Sequence, residues 1–378
     1  MADIKGTCDD RFEGVRDALS GSLDAGTDVG ASVAVLVEGE PVVDIWGGFA
    51  DEARTEPWQR DTITNVWSTT KTMTFLCALM LADRGDLDFS APVARYWPEF
   101  AAGGKEAVEF RQLMAHTAGL SGWTAHIEPE DLADWEKCTS LLAAQEPWWE
   151  PGTASGYHAL TQGYLIGEVV RRITGATIGT WFASEVAGPL GADFHIGLPA
   201  SEDDRVSPVI PPEAVGLAGA DPGSIAIRTF TSPLLDAAMA TKEWWRRAEI
   251  PAANGQGNAR SVATIQSIIA GGGEARGVRL LSPEGCGTVF KEQANGKDLV
   301  LGIPMRFGMG YGLSGELMPM GPRACFWGGY GGSLIVMDQD ARLTVSYVMN
   351  KMEGGLTGDL RGANIVLGAV MGLAGTAD

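Results

Sequence analysis

The chain has little basic charge and little histidine. Its 378 residues carry 28 Lys and Arg against 48 Asp and Glu, a formal net charge of −20, with only four histidines. Nucleic-acid binding needs clustered cations facing phosphates. Here they occur only in short runs such as Arg171-Arg172, so nucleic acid is not an expected partner. The acidity favours solubility rather than selecting a substrate. His116, His126, His158 and His195 are far apart and H-E-x-x-H is absent, so no metal site is expected. G-x-S-x-G is absent too, which argues against the nucleophile elbow of ordinary α/β-hydrolases. Five cysteines (Cys8, Cys77, Cys138, Cys286, Cys325) are odd in number and lack C-x-x-C spacing. They read as free thiols of a reducing cytoplasm rather than disulfides or zinc ligands. No apolar run reaches membrane-spanning length, and "MADIKGTCDDRFEGVRD" lacks the basic start and apolar stretch of a secretory signal. The expectation is a cytoplasmic protein with no membrane partner; nothing readable sets its oligomeric state.

Apolar residues make up 45% of the chain, enough for one large domain or two intergrown ones. The spacing predicts a charged amphipathic helix over 9–24. Two β-branched runs in "ASVAVLVEGEPVVDIWGGFAD" then read as a hairpin turning at Glu38-Gly39-Glu40-Pro41. A helix is predicted from Thr69 to Arg84, stopped by Gly85. Residues 90–254 are helical patterns broken by loops rich in Gly, Pro and Trp. After a helix over 259–270, strand-like runs return in "RFGMGYGLSG", "PRACFWGGYGGSLIVMDQ" and "ARLTVSYVMNK", and the end is helical. Strands at both ends with a helical middle imply an α/β (α+β) fold. An antiparallel sheet flanked by helices would come from residues 1–89 and 255–378, and a mostly helical lobe, 90–254, would be inserted. A site is expected in the cleft between them, with the segment between Pro199 and Ile250 over or beside it.

The stretch "NVWSTTKTMTFLCALMLADRG" holds the one serine of the chain with a lysine three residues on, Ser68 and Lys71. If Ser68 opens a helix, its hydroxyl and the Lys71 amine project from one face about one turn apart. The Ser68 N–H then lies at the positive end of the helix, where an oxyanion is stabilised. Two readings stay open on this motif alone: a serine cap with a snorkelling surface lysine, or a nucleophile beside an amine whose pKa burial lowers. Tyr157, after the Gly-rich loop in "WEPGTASGYHALTQGYLIGEVV", can aim its phenol into the cleft as a second acid or base. Gly328 and Gly329 in "FWGGYGGSLIVMD" let a strand run close to a ligand, with the Tyr330 N–H as a second oxyanion donor. Trp123, Trp148 and Trp149 sit in the loops leading to Tyr157 and can wall an acyl or alcohol pocket or pack in the core.

In this order and spacing, "WSTTKTMT", "ARYWPEFAAGGK", "LMAHTAGLSG", "WEPGTASGYHALTQGYLIGEVVRRITG", "PLGADFHIGLP", "EIPAANGQGNARSVA", "FWGGYGGS" and "YVMNKM" resemble one group of proteins over nearly the whole chain. These are the serine hydrolases built like class C β-lactamases and penicillin-binding proteins, and within them the family VIII carboxylesterases. The resemblance implies a β-lactamase-like fold with Ser68 as acylated nucleophile, Lys71 as its base, and Tyr157 as proton shuttle. It also implies an oxyanion hole made by the N–H groups of Ser68 and Tyr330. Trp327-Gly328-Gly329 stands where β-lactamases have K-T-G, and W-G-G is a form found in family VIII esterases. In that family the segment around His116 is structural.

Two departures matter. Ala159 replaces the asparagine of the Y-x-N motif, removing a side-chain amide, and Trp327 removes the cation that meets a β-lactam carboxylate. Both favour neutral esters, because an unpaired carboxylate in an apolar pocket loses affinity. His158 either tunes Tyr157 or packs. The expected activity is a cofactor-free esterase for short- to medium-chain acyl esters, a small-molecule substrate. The same residues would serve a β-lactamase, an amidase or peptidase, or an acyltransferase, and the non-enzyme alternative is a silent ligand-binding scaffold.

Overall fold

The computed structural model describes residues 2–213, 221–234 and 236–375; the parts of the Pro199–Ile250 segment at 214–220 and 235 lie outside them. A nine-stranded antiparallel sheet organises the molecule. Its strands are β1 (Ile4–Cys8), β2 (Gly30–Val37), β3 (Glu40–Gly48), β4 (Ala294–Lys297), β5 (Pro304–Phe307), β6 (Gly312–Leu313), β7 (Ala324–Gly328), β8 (Leu334–Asp338) and β9 (Leu343–Met349). The spatial order is β1-β3-β2-β9-β8-β7-β6-β5-β4. N-terminal and C-terminal strands therefore meet at the β2–β9 pair, where Val33 faces Tyr347 and Ala31 faces Met349.

The β2–β3 hairpin turns on Glu38 and Gly39, with φ of 54° and 84°. Positive φ at both central residues matches the twist of the flanking strands. Residues Gly30 to Leu36 are all buried, so β2 is covered on both faces, which explains its unbroken apolar run. Helices α1 (Glu13–Asp24) and α5 (Leu360–Ala374) pack on the sheet and on each other, and α4 (Ala259–Ala270) packs on β2, β8 and β9. Helix α2 (Lys71–Asp83) is apolar all round and buried from Lys71 to Leu81, as expected of a helix enclosed on every side. It packs against α3 (Thr161–Thr174) of the helical lobe.

Several boundaries differ from the sequence pattern. The first helix begins at Glu13 after a single turn over Asp10–Phe12 capped by Asp9, and β1 precedes it. That strand is a polar edge strand with three exposed central residues, so it carries no alternation to read. Ser68 lies in a 3₁₀ turn, Trp67–Thr70, and the α-helix starts at Lys71 rather than Thr69. Among the described residues, the middle of the chain contributes one two-residue strand, Phe194–His195, which pairs with Gln256–Gly257, itself paired with Thr64–Asn65.

Candidate active site

The turn Trp67–Thr70 sets the centre of the site. Ser68 is 7% exposed, and the Lys71 side chain is fully enclosed. One helical turn brings the Lys71 Nζ to 3.1 Å from Ser68 Oγ, where it donates a hydrogen bond. The amine also donates to the carbonyls of Ala159 at 2.6 Å and Ala252 at 2.9 Å. No carboxylate pairs with it among the described residues. Burial therefore holds the Lys71 pKa well below that of a free lysine, because desolvation penalises the ammonium and no anion restores it.

Tyr157 reaches Ser68 from the helical lobe. Its phenol donates to Ser68 Oγ at 2.5 Å, and its ring lies 4.8 Å from the Lys71 Nζ. Burial pushes the phenol's pKa far up, opposed in part by the Ser68 hydrogen bond. A buried amine of lowered pKa and a protonated phenol thus converge on one hydroxyl; once the amine has given up its third proton it can accept one from Ser68 while the phenol delivers one on the other side.

Tyr157 sits in a loop, so its placement needs backbone anchors. Its N–H donates to Asp298 Oδ1 at 3.0 Å, and Leu299 N–H donates to the Ser155 carbonyl at 2.8 Å. The loop joining β4 and β5 thereby clamps the chain on both sides of Gly156. His116 supports the phenol ring with a centroid distance of 5.2 Å. Its Nδ1 accepts the His158 N–H, so this imidazole is a neutral structural group, and burial keeps its pKa well below 6.5.

The loop that follows β7 packs against the turn that carries Ser68. Ser68 is the second residue of the 3₁₀ turn, so its N–H is among those the turn leaves unpaired. Gly329 packs on the same turn: a Cβ there would lie 2.4 Å from the Val66 carbonyl and 3.3 Å from the Ser68 nitrogen. Only glycine permits this approach, which places the peptide carrying the Tyr330 N–H against Ser68. The Gly329 carbonyl of that peptide accepts from Gly332 and Gly358, each at 3.2 Å. Since N–H and C=O of a trans peptide point in opposite directions, the Tyr330 N–H is turned the other way. Gly329→Ala is expected to cut kcat by about 10- to 100-fold through loss of this alignment, measured by steady-state kinetics on a short ester.

Residues 15–369 match the Beta-lactamase family model. The chain belongs to the beta-lactamase family. It is 36% identical over 374 residues to "Esterase/beta-lactamase LipL" of Mycobacterium tuberculosis, covering 92% of this chain and 83% of that protein. A crystal structure of a family VIII carboxylesterase superposes with a TM-score of 0.92 at 43% identity, covering 98% of this chain and all of that one. A penicillin-binding protein homologue from Caulobacter crescentus gives 0.89 at 37% identity, with 98% and 100% coverage. As a member of this family the chain is a serine hydrolase of the esterase/beta-lactamase kind.

Within this beta-lactamase family chain, some expected pocket residues lie elsewhere. Trp327 does not wall an open pocket; it is 1% exposed, stacked on His116 at 5.5 Å and placed beneath Tyr157. Trp123 is equally buried, donates its indole N–H to the Cys138 carbonyl and packs on Tyr164, so it belongs to the core of the helical lobe. In both cases an aromatic ring finds more apolar neighbours inside than at the cleft. Trp149 packs edge-on to His158 and donates to the Ala154 carbonyl, bracing the loop under Tyr157. His158 donates from Nδ1 to the Gly156 carbonyl and accepts the Leu120 N–H at Nε2. With its pKa pushed down to about 3 by burial, it is a packed neutral group and does not titrate beside Tyr157 near neutral pH. Gly328 is buried at the end of β7. Ala159, noted for the amide it lacks, contributes its carbonyl to Lys71. Backbone contributions such as Ala159 O and Ala252 O have no side-chain signature in the sequence, and the Asp298 carboxylate holds a backbone N–H 141 residues away without a motif.

Next to Ser68 in the chain, Trp67 has φ of 47° and is buried between Trp245 and Tyr330, each at 5.3 Å. The Pro199–Ile250 segment thus reaches the site through Trp245, while Arg228 stacks on the Trp148 ring at 3.8 Å. No helix among the described residues is long and apolar enough to cross a membrane.

Proposed function

We propose that the chain is a carboxylesterase for short- to medium-chain acyl esters, working through an acyl-enzyme on Ser68. The observation that carries this reading is the convergence of a buried amine without a carboxylate partner and a buried phenol on Ser68 Oγ. Lys71 takes the Ser68 proton as Oγ attacks the ester carbonyl. The tetrahedral oxyanion accepts the N–H groups of Ser68 and Tyr330. As the intermediate collapses, Tyr157 protonates the leaving alkoxide and regains a proton from the Lys71 ammonium. Water, deprotonated by the same pair, then releases the acid. The two-part division into 1–89 with 255–378 and the inserted 90–254 belongs to this proposal, with the site between the parts. So do the pocket roles of Tyr330, Trp149 and the Gly328-Gly329 strand.

Neutral esters are favoured over β-lactams because Trp327 replaces the cation of the K-T-G motif and Ala159 the amide of the Y-x-N motif, so neither group is there to meet an anionic acylamino substrate. The relative named as a family VIII carboxylesterase agrees with this choice, while LipL is named for both activities. On p-nitrophenyl acetate, butyrate and longer esters beside a chromogenic cephalosporin, kcat/KM is expected to be greatest for a short ester. Faster turnover of the cephalosporin than of every ester would reverse the assignment.

The pH dependence follows from the same groups. Lys71 acts as a base only when neutral, so the rate is expected to fall as pH drops through its lowered pKa. His158, at about 3, and His116, well below 6.5, do not contribute a step near neutrality. A profile of log kcat/KM against pH should show a single acid limb of unit slope, in a window well below 10.5. An acid limb of slope two would assign a second essential base.

A further inference from the structure

Strand β7, which carries Trp327, ends in a loop whose peptide groups are linked by hydrogen bonds. Arg361, at the start of α5, donates from Nη2 to the Gly331 carbonyl at 2.7 Å. The N–H of that same peptide belongs to Gly332 and donates to the Gly329 carbonyl at 3.2 Å. The peptide of the Gly329 carbonyl carries the Tyr330 N–H. Because each trans peptide presents its N–H opposite its C=O, Arg361, together with the Glu353 N–H on the Gly331 carbonyl at 3.0 Å and the Gly358 N–H on the Gly329 carbonyl at 3.2 Å, sets the direction of the Gly332 N–H and, through it, of the Tyr330 N–H.

The guanidinium itself is immobilised. It is 9% exposed and pairs with Asp28 Oδ1 at 2.8 Å and Asp359 Oδ2 at 2.6 Å. It also donates to the carbonyls of Thr27 at 3.0 Å and Lys351 at 2.9 Å. Asp28 is held in turn by the Tyr347 hydroxyl at 2.7 Å and by Ser22 at 2.5 Å. Gly332 lies directly on this cluster, since a Cβ there would fall 2.5 Å from Arg361 Nη2 and 2.4 Å from Asp359 Oδ2. The loop is therefore seated on a rigid charged base that joins the start of β2, the end of β9 and the start of α5.

We propose that Arg361 is a positioning residue for the oxyanion hole, acting through the Gly331–Gly332 and Gly329–Tyr330 peptides; this rests on the reading of the Tyr330 N–H as an oxyanion donor. A chain of aligned hydrogen bonds ending on a guanidinium also polarises each member, so the far N–H becomes a better donor when charge develops on the substrate oxygen. The gain is confined to the transition state and appears in kcat rather than KM.

The test compares variants that break the same ion pair in different ways. Asp28→Asn loosens the base but leaves the Arg361 relay, and is expected to lower Tm with kcat within about twofold of the parent. Arg361→Gln, and the double variant Asp28→Asn/Arg361→Gln that removes the charge at the buried Asp28 site while the Asp359 carboxylate remains, are expected to lower kcat by about 10- to 100-fold with KM nearly unchanged. The rate at which a fluorophosphonate labels Ser68 should fall by the same factor, since its phosphoryl oxygen occupies the same hole. Arg361→Lys, which keeps the charge and folds with the pair retained, should recover part of the loss. Equal kcat losses in Asp28→Asn and Arg361→Gln would overturn the proposal. So would a double variant that keeps the parent kcat, or a loss confined to KM. Failure of the parent protein to label at Ser68 would instead overturn the esterase reading.

Discussion

Lys71→Met is expected to lower kcat on p-nitrophenyl butyrate by about 10³- to 10⁵-fold while the protein stays folded. Methionine matches the length of the lysine stem and fills the enclosed space around it, so packing in α2 is preserved. What it removes is the amine that bonds Ser68 Oγ. Without that base the serine must lose its proton to water, because burial keeps the Tyr157 phenol protonated and unable to accept it. Two carbonyls, Ala159 and Ala252, lose their donor, which costs about 1–3 kcal/mol for each group left unsatisfied. Part of that loss is offset because a buried amine no longer has to be desolvated. Circular dichroism and a melting curve beside the kinetics separate the two effects. Parental rates in a folded Lys71→Met protein would remove Lys71 from the mechanism.

Tyr157→Phe is expected to cost about 10²- to 10⁴-fold in kcat with little change in Tm. The ring keeps its contacts with His116, Trp327 and the Lys71 amine, and the backbone anchor to Asp298 does not involve the phenol. Only the hydroxyl that meets Ser68 Oγ is lost. Its absence leaves the departing alkoxide without a proton donor, so the effect should grow as the alcohol becomes more basic. Ethyl esters should suffer more than p-nitrophenyl esters, whose leaving group needs no proton. An equal loss on both kinds of ester would show that Tyr157 positions Ser68 without donating the proton.

The parts of this site that were legible in the sequence are those carried by local spacing. Ser68 and Lys71 are three residues apart on a helix, and that geometry follows from helical pitch alone. The β2–β3 hairpin and the helix Ala259–Ala270 were equally local, written in turn residues and in periodicity. The polar edge strand Ile4–Cys8 was not legible, because its pairing with β3 is decided by backbone hydrogen bonds rather than by an apolar face. Trp123 and Trp327 show the limit for aromatics: the same residue type suits a pocket wall and a core, and tertiary packing chose the core for both. Asp298 and Arg361 act across gaps of 141 and 30 residues, on backbone atoms, and leave no motif.

The account stands on Ser68 as the acyl-accepting nucleophile. Incubating the folded protein with a fluorophosphonate and mapping the adduct by peptide mass spectrometry tests this directly. The predicted result is a single stoichiometric modification on the peptide containing Ser68, abolished in Ser68→Ala and strongly slowed in Lys71→Met; an unmodified Ser68, or an adduct at another residue that accompanies loss of esterase activity, would contradict it.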